Sequence, residues 1–419
     1  MPHAAHHPWQ GAMSRLTRLL LVAAGLTICS AIGLTVALAD QDSIHESQSR
    51  RASPSKADPT GQGYVELRTR ITNIVQPLIS SNKHMGIVVG VILEGESLVL
   101  GFGRKEHSTR QAPDGDTLFE IGSVTKVFTG TLLGIMAQKG EVDLRDPAQR
   151  YLPPSVCVPT FGGKEITLID LVTHTSGLPR LPDNPSSSSE AFSLSAVRNP
   201  YASYSNEDMY AFLTGHSLAR EPGSEFAYSN LGMGLLGLAL SRARNSTYEA
   251  SVASLICEPL AMDDTVITLS AEQRSRLAQG YRWHSSVGFL CIPFRAQNWD
   301  FQECFAGAGA LRSTANDLLK FVAANLGCVD TPLLPVFEQM HRARHKIDDD
   351  VSIGMGWLIL QKESMPGPIV WHNGRTGGYC SFVGFCKANN SGVVVLTNSS
   401  RGMDGAGLEI LQVLAEHRY

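Results

Sequence analysis

The distribution of apolar and polar residues divides the chain into three parts. A continuous apolar segment runs from Leu19 to Ala39, and residues 40–63 are almost entirely polar. From Tyr64 onward, short apolar runs and helical periods continue to Tyr419. A polar segment with so little to bury does not fold by itself. The pattern therefore predicts a hydrophobic leader over residues 1–39, a disordered tether over 40–63 and a folded part over 64–419.

The leader has the features of an export signal. Arg15 and Arg18 precede the apolar segment, and Ala37-Leu38-Ala39 fits the small-x-small pattern of a signal cleavage site. An uncleaved anchor is the alternative, because a membrane span takes about 20 apolar residues. We therefore expect an exported protein, periplasmic or extracellular, that is either released or held at the membrane through residues 19–39.

Both ends of the folded part contain strand patterns. Apolar positions spaced along one helical face predict a helix over Tyr64–Ser81. Two β-rich runs follow, and Glu94-Gly95-Glu96 between them is a hairpin signal. The predicted strands and the C-terminal helix are Gly86–Leu93, Ser97–Phe102, Ile369–Trp371, Tyr379–Cys386, Gly392–Thr397 and Leu408–His417.

Helical periods and loops occupy most of the chain between Ser123 and about Leu326, including a polar stretch from Pro182 to Asp208 interpreted as a surface excursion. When the strands of one sheet come from both ends of the chain, the residues between them form a part that is inserted into the sheet-containing part. We predict an α/β part over about 64–122 and 327–419, with a mainly helical part over about 123–326. Clefts between such parts are common ligand sites.

Composition narrows the classes of function. The net charge of −4 comes from 35 basic and 39 acidic residues without a basic run, so no nucleic-acid partner is expected. None of the 8 cysteines forms a C-x-x-C pair, which leaves zinc-ribbon and redox motifs without support. An oxidising compartment permits disulfides. Cys380 and Cys386, however, lie too far apart on one predicted strand to bond with each other.

The pattern Ser-x-x-Lys occurs at Ser53, Ser80 and Ser123. A spacing of three places a hydroxyl and an amine on one helical face, and a helix N-terminus favours developing negative charge. Ser53 lies in the polar tether, and Ser80 lies at the end of the first predicted helix. Ser123 alone precedes an apolar helix, so we predict that it is a nucleophile with Lys126 one turn further along.

Tyr-Ser-Asn occurs twice. The copy at Tyr204–Asn206 lies in the polar excursion and is interpreted as a loop. The copy at Tyr228–Asn230 follows Pro222-Gly223 and leads into the apolar segment 231–240. A spacing of two from a fixed turn aims Tyr228 and Asn230 at one site, so we predict a catalytic role for this copy.

Two further patterns match known sites only in form. Gly232-x-Gly234-x-x-Gly237 follows Tyr-Ser-Asn instead of a strand, which favours close helix packing over a dinucleotide site. His341 and His345 have helical spacing but lack the glutamate of a zinc protease, so we interpret them as a solvated face and predict no metal. A G-x-S-x-G elbow is absent from the sequence.

His372-Asn373-Gly374-Arg375 precedes a strand. Glycine there lets an edge strand approach a ligand closely and present a backbone amide. A lone histidine is usually structural. Together with the serine and tyrosine motifs, however, these four residues form a candidate substrate-binding segment.

The order and rough spacing of Ser123-x-x-Lys126, Tyr228-x-Asn230 and His372-Asn373-Gly374 resemble the motifs of the penicillin-recognising serine hydrolases. The chain most resembles class C β-lactamases, the related D-Ala-D-Ala carboxypeptidases and peptidoglycan peptidases, and esterases of the same family. Supporting segments are 166–179 and 307–314. The resemblance implies an α+β fold, with an antiparallel sheet flanked by helices and a mainly helical insertion, and it implies no cofactor.

The resemblance also implies a role for each motif residue. Ser123 would be acylated, while Lys126 and Tyr228 would together move its proton. Asn230 would hold the substrate amide or Lys126. The backbone amides of Ser123 and Arg375 would form an oxyanion hole.

His372-Asn373-Gly374 departs from the Lys-Thr-Gly of class C β-lactamases. Lysine keeps a permanent charge for a substrate carboxylate, whereas histidine is largely neutral at pH 7. Peptidases and esterases of the family also use histidine here, and Arg375 is a candidate for the missing charge. We expect an acyl-enzyme on a peptide or amide with a terminal carboxylate, such as a β-lactam or a peptidoglycan stem peptide. An esterase and a non-catalytic binding protein are the alternatives.

Overall fold

The structure is a computed structural model that describes residues 62–184, 186–187, 199–287 and 290–417. The predicted leader over 1–39 and nearly all of the predicted tether lie outside the described residues. In the described ranges, no helix combines the length and the apolar character that a membrane crossing needs.

Helices and strands alternate in blocks along the described chain. The helices are α1 Gln62–Ser80, α2 Thr125–Gln138, α3 Leu168–Val172, α4 Asn206–Gly215, α5 Asn230–Ala243, α6 Tyr248–Val252, α7 Ala271–Arg276, α8 Glu303–Gly309, α9 Ala315–Leu326, α10 Leu334–Met340 and α11 Asp404–Glu416. The strands are β1 Gly86–Leu93, β2 Glu96–Gly103, β3 Phe119–Glu120, β4 Tyr281–Val287, β5 Leu290–Arg295, β6 Arg312–Ser313, β7 His345–Lys346, β8 Val351–Ile353, β9 Leu358–Leu360, β10 Ile369–Arg375, β11 Cys380–Cys386 and β12 Ser391–Thr397.

The main sheet joins strands from both ends of the chain. Among the described residues it has 8 strands in the order β2-β1-β12-β11-β10-β9-β8-β7, and neighbouring strands are antiparallel. The N-terminal strand β1 pairs with the C-terminal strand β12, with Val89 opposite Val395. The predicted α+β fold with an antiparallel sheet and flanking helices is confirmed.

Alternation along the central strands gives the sheet two buried faces. On β12, Val393 and Val395 pack with α1 and α11, whereas Val394 and Leu396 belong to the larger cluster on the opposite face. When helices cover both faces of a sheet, the residues that point to either face must be apolar. Helix α9 covers the second face, and Gly90 of β1 leaves room for the side chain of Leu319.

The helical region between β3 and β10 is held by close helix packing. Helix α2 is buried along most of its length, and Phe128 stacks on Phe321 of α9 at 4.4 Å. A Cβ on Gly234 would lie 2.3 Å from the carbonyl oxygen of Cys304, and one on Gly237 would lie 2.9 Å from the Cα of Gly307. The interpretation of this glycine pattern as close helix packing is confirmed. The division into an α/β part and an inserted helical part stays a prediction.

The two strand runs near the N-terminus form within one residue of their predicted bounds, whereas the first helix begins two residues earlier than predicted. The last helix begins earlier than expected, at Asp404. The sequence analysis missed the hairpin of β4 and β5 and the short strands β7, β8 and β9. Strands of two or three residues carry too little alternation to be recognised, and they form here because β10 offers an edge for pairing.

The first Tyr-Ser-Asn copy begins a helix, so its interpretation as a loop is wrong. The side chain of Ser205 accepts a hydrogen bond from the backbone N–H of Asp208 at 3.2 Å and caps α4. The hydroxyl of Tyr204 is buried and donates to Asn184 at 2.7 Å. A capping serine and a buried aromatic residue make this part of the polar stretch a packed element, while residues 188–198 lie outside the described residues.

His341 and His345 do not share a helix, so their interpretation as a solvated helical face is wrong. Helix α10 ends at Met340, and His345 lies on β7. The ring of His341 packs against Phe385 at 5.0 Å and bonds to the Oδ1 atom of Asn325 at 2.9 Å. The helix ends there because the chain turns to enter the sheet.

The cysteines that the structure characterises are free thiols. Among the described residues these are Cys157, Cys257, Cys304, Cys328, Cys380 and Cys386. Cys380 and Cys386 occupy the two ends of β11, in agreement with the prediction that they do not bond with each other.

Candidate active site

Ser123 lies in a single turn of 3-10 helix, Gly122–Val124, directly before α2. This turn packs tightly against β10. A Cβ on Gly122 would lie 2.7 Å from the backbone nitrogen of Arg375, and one on Gly374 would lie 1.9 Å from the carbonyl oxygen of Ile121. Glycine is therefore required at both positions, and the close approach brings the backbone amide of Arg375 beside the turn that carries Ser123.

Lys126 lies one turn further along, beneath Ser123. Its Nζ atom lies 3.0 Å from the Oγ atom of Ser123 and donates to the carbonyl oxygen of Ala308 at 2.6 Å. The side chain is completely buried, and burial lowers the pKa of Lys126 well below its usual value. The positive charge of Arg180 lowers this pKa further. The neutral amine is thereby favoured next to the serine hydroxyl.

Tyr228 approaches the same pair from the loop before α5. The Nζ atom of Lys126 lies 4.9 Å from the centre of its ring. Burial raises the pKa of Tyr228 to about 12, and a hydrogen bond with Ser123 acts in the opposite direction. The phenol therefore keeps its proton, and the three predicted catalytic side chains of Ser123, Lys126 and Tyr228 meet in one cluster.

His174 supports Tyr228 and was assigned no role from the sequence. Its ring lies 4.4 Å from the ring of Tyr228, and its Nδ1 atom accepts from the backbone N–H of Ser229 at 3.2 Å. Its carbonyl oxygen accepts from the N–H of Ala227 at 2.8 Å. His174 thus holds the backbone on both sides of Tyr228, with its own backbone at a φ of 58°.

Asn230 is the first residue of α5, and its side chain faces the same site. Its Nδ2 atom donates to the hydroxyl of Tyr201 at 2.9 Å. Its Oδ1 atom is buried and has no partner among the described residues. The ring of Tyr201 stacks on Phe301 at 4.6 Å. Tyr201 was missed because it lies within the polar stretch, where an isolated aromatic residue was the only signal.

His372 is buried behind the cluster and remains neutral. Burial, with the charge of Lys126, lowers the pKa of His372 to about 3. Its Nδ1 atom lies 2.6 Å from the carbonyl oxygen of Asn373, and its ring lies 6.4 Å from the ring of Tyr228. His372 therefore offers no charge to a substrate.

The side chains of Asn373 and Arg375 bind protein groups. The Nδ2 atom of Asn373 donates to Asp404 at the start of α11 at 2.7 Å. The guanidinium of Arg375 donates to the carbonyl oxygen of Ser400. The backbone of this segment, including Gly374, borders the site.

A cavity of about 610 Å³ opens onto Ser123. Of the predicted site residues, six line it, whereas Lys126 and His372 are buried and do not line it. The residues that complete its wall are Arg180, Tyr201, Phe226, Trp299, Ile347, Val351, Leu358, Trp371 and Thr376. The cavity therefore gives an acyl compound access to the hydroxyl.

A protein-family model described as Beta-lactamase matches residues 71–417. The chain belongs to the beta-lactamase family. The family match and the names of the relatives are those of hydrolases, and this chain is a serine hydrolase.

Relatives of this beta-lactamase-family chain carry two kinds of name. The D-alanyl-D-alanine-carboxypeptidase/endopeptidase AmpH of Escherichia coli (strain K12) is 29% identical over 325 residues, which cover 74% of this chain and 78% of that protein. A beta-lactamase of the same organism is 28% identical over 363 residues, which cover 78% of this chain and 87% of that protein.

Solved structures show the same fold. A crystal structure of a class C beta lactamase superposes with a TM-score of 0.71 at 20% identity and covers 85% of this chain and 99% of that chain. The beta-lactamase fold of this chain therefore agrees with the expectation drawn from its motifs.

Proposed function

We propose that the chain hydrolyses an amide bond next to a terminal carboxylate, in a D-Ala-D-Ala type peptide or a β-lactam, through an acyl-enzyme on Ser123. The observation that carries this proposal is the 3.0 Å contact between the buried amine of Lys126 and the hydroxyl of Ser123. The names of the relatives support the substrate class, because they include a D-alanyl-D-alanine-carboxypeptidase/endopeptidase and beta-lactamases.

In the proposed acylation step, the neutral amine of Lys126 removes the proton of Ser123 while the Oγ atom forms a bond to the substrate carbonyl carbon. The carbonyl oxygen gains negative charge next to the backbone amides of Ser123 and Arg375, an arrangement typically worth about 3–4 kcal/mol per donor. The amide bond then breaks, and its nitrogen takes a proton from the hydroxyl of Tyr228.

Lys126 returns its extra proton to Tyr228, which restores both groups. Water then repeats the sequence: it gives its proton to the same pair, attacks the acyl carbon and releases the carboxylic acid product and the free Ser123 hydroxyl. Lys126 is assigned as the base and Tyr228 as the acid because burial moves their pKa values in opposite directions, both toward the neutral form. Lys126 thus accepts the proton of the serine hydroxyl, and Tyr228 donates the proton to the leaving nitrogen.

We also propose that the enzyme acts after export, where peptidoglycan lies. The apolar segment 19–39 with Arg15 and Arg18 before it supports this location. N-terminal sequencing of protein recovered from a periplasmic fraction tests it. A mature chain that begins near Asp40 indicates a cleaved signal, an intact N-terminus in the membrane fraction indicates an anchor, and an intact chain in the cytoplasm contradicts the proposal.

An esterase activity is the second candidate. The neutral His372 and the apolar wall of Ile347, Val351 and Leu358 favour acyl groups without charge. Both activities proceed through an acyl-enzyme on Ser123, and they differ in the bond that is cleaved, an amide or an ester.

Turnover of nitrocefin, an N-acyl-D-Ala-D-Ala peptide and a p-nitrophenyl ester separates these candidates. We expect the peptide or nitrocefin to be hydrolysed with the higher kcat/KM. Hydrolysis of the ester alone would overturn the amide proposal in favour of the esterase. A Ser123→Ala variant is the control, and it must lose activity on every substrate that the enzyme accepts.

A further inference from the structure

Charge in the cavity is confined to two residues. Among the described residues that line it, only Arg180 and Arg375 have ionised side chains, and none has a carboxylate. The cavity is therefore electropositive and suited to an anionic substrate. Which arginine meets the anion depends on where each guanidinium is held.

The guanidinium of Arg375 is bound to protein groups. It donates to the carbonyl oxygen of Ser400 and also bonds to the thiol of Cys380. Its charge acts on Asp404, whose carboxylate accepts from Asn373. Arg375 thus already has an acceptor and a nearby carboxylate on its own side of the sheet.

Arg180 is fixed in the opposite wall by its backbone. Its carbonyl oxygen accepts from the N–H groups of Asn230 at 3.0 Å and Leu231 at 3.2 Å, at the start of α5. Its guanidinium carbon lies 5.0 Å from the centre of the Tyr228 ring. The side chain is exposed to the cavity, and within the described residues it forms no ion pair.

Arg180 is also close enough to the reacting groups to act on them. Its charge shifts the pKa values of Lys126, His174, Tyr201 and Tyr228 downward. Burial disfavours the charged forms of Lys126 and His372. Arg180, in contrast, is exposed, and its guanidinium lies over the ring of Tyr228.

We propose that Arg180 binds the terminal carboxylate of the substrate and supplies the charge that His372 does not. This inference rests on the proposed function, because it assigns the recognition of the leaving group in that reaction. Tyr228 gives a proton to the leaving nitrogen, and in a D-Ala leaving group the carboxylate lies two bonds from that nitrogen. A guanidinium over the ring of Tyr228 is therefore placed at the correct end of the substrate. Its planar donors match a carboxylate in a two-point contact.

The test uses two aryl esters with the same acyl group, whose leaving groups are phenol and meta-carboxyphenol. The measured quantity is the ratio of kcat/KM for the carboxylate ester to kcat/KM for the neutral ester. Any effect of Arg180 that passes through Lys126 or Tyr228 changes both rates by the same factor and cancels in this ratio. We expect Arg180→Gln to lower the ratio by about 30-fold, since a charge-assisted contact is lost.

Two matched variants are measured alongside Arg180→Gln. Arg180→Lys keeps the charge without the planar fork and should restore the ratio to within about fivefold of the wild-type value. Arg375→Gln removes the other cavity arginine and should change the ratio by less than about threefold.

Two results overturn the role of Arg180 while leaving the serine chemistry in place: Arg180→Gln lowers the rates for both esters equally, or Arg375→Gln is the variant that lowers the ratio. A failure of the proposed function looks different. In that case the wild type hydrolyses neither nitrocefin nor an N-acyl-D-Ala-D-Ala peptide, whatever its rates on the two esters.

Discussion

The Nζ atom of Lys126 lies 3.0 Å from the Oγ atom of Ser123, and no part of the lysine side chain is exposed. This burial disfavours the charged form of the side chain and thereby favours a base next to the hydroxyl. The pKa of Lys126 is held well below the model-compound value of 10.5. The consequence is a specific dependence of the rate on pH.

A general base must be unprotonated, so activity is lost as the pH falls through the pKa of Lys126 in the free enzyme. We expect kcat/KM for the neutral ester to rise with pH to a plateau, with a midpoint well below 10.5. In Arg180→Gln the midpoint should move to higher pH, because the positive charge that lowers this pKa is gone. Arg375→Gln is the matched control. A midpoint unaffected by the loss of Arg180 would contradict this account of the base.

Tyr228→Phe removes the hydroxyl while keeping the ring that packs on His174. We expect kcat/KM to fall by at least about 100-fold, because proton transfer by a positioned group contributes that much or more. Thermal unfolding should show that the variant is folded, since the ring contact at 4.4 Å is retained.

Tyr204→Phe is its matched control, because Tyr204 is the tyrosine of the other Tyr-Ser-Asn copy. Its hydroxyl donates to Asn184 at 2.7 Å, away from the cavity. This variant should lose about 1 kcal/mol of unfolding free energy and keep its activity. Equal losses of activity in both variants would show that the tyrosine effect is structural.

Gly374→Ala tests the contact between β10 and the turn of Ser123. The new Cβ would lie 1.9 Å from the carbonyl oxygen of Ile121, so the strand must move away from the serine. We expect a loss of about 1–3 kcal/mol in unfolding free energy, as for other overpacked sites, together with a loss of activity measured under conditions where the variant remains folded.

The matched control is Gly405→Ala in the first turn of α11, where a Cβ meets no atom within 4 Å. Alanine in a helix should stabilise the protein by about 0.5–1 kcal/mol relative to glycine. If Gly374→Ala were as stable and as active as Gly405→Ala, the close contact would not be a requirement of the fold.

His341 makes stability depend on pH without involving the active site. Burial lowers its pKa from 6.5 to about 3, so the unfolded chain binds a proton that the folded chain does not. Its contribution is fully present above the unfolded pKa and is lost as the pH falls below it, by about 1.4 kcal/mol per pH unit. His341→Gln should therefore reduce the slope of unfolding free energy against pH between about 6 and 4. Urea unfolding measures this slope, and an identical slope in the variant would be the contradicting result.

Sequence patterns predicted the parts of the fold whose apolar periodicity is long. Helix α1 and strand β1 are examples, because the helix repeats apolar positions over 19 residues and the strand is a continuous buried run of 8 residues. Strand β7 has two residues and pairs with β8, which has three, so neither strand is long enough to show an alternating pattern. Short elements of this kind follow from tertiary contacts.

Site residues could be predicted only where reactive residue types occur at a spacing typical of a known catalytic motif. Ser123, Lys126 and Tyr228 were recognised from motifs, and the structure brings their side chains together. His174 belongs to the segment 166–179, which was cited without a role for this histidine, and Arg180 follows directly after that segment. Their roles depend on which ring they contact, and that contact with Tyr228 exists only in the folded chain.

The most direct test of the central claim is the intact mass of the protein after incubation with a fluorophosphonate or a penicillin. The account predicts a single adduct, mapped by peptide digestion to Ser123, and its absence in both Ser123→Ala and heat-unfolded protein. A folded wild-type protein that gains no mass, or gains it at another residue, would contradict the claim that Ser123 is the nucleophile of this enzyme.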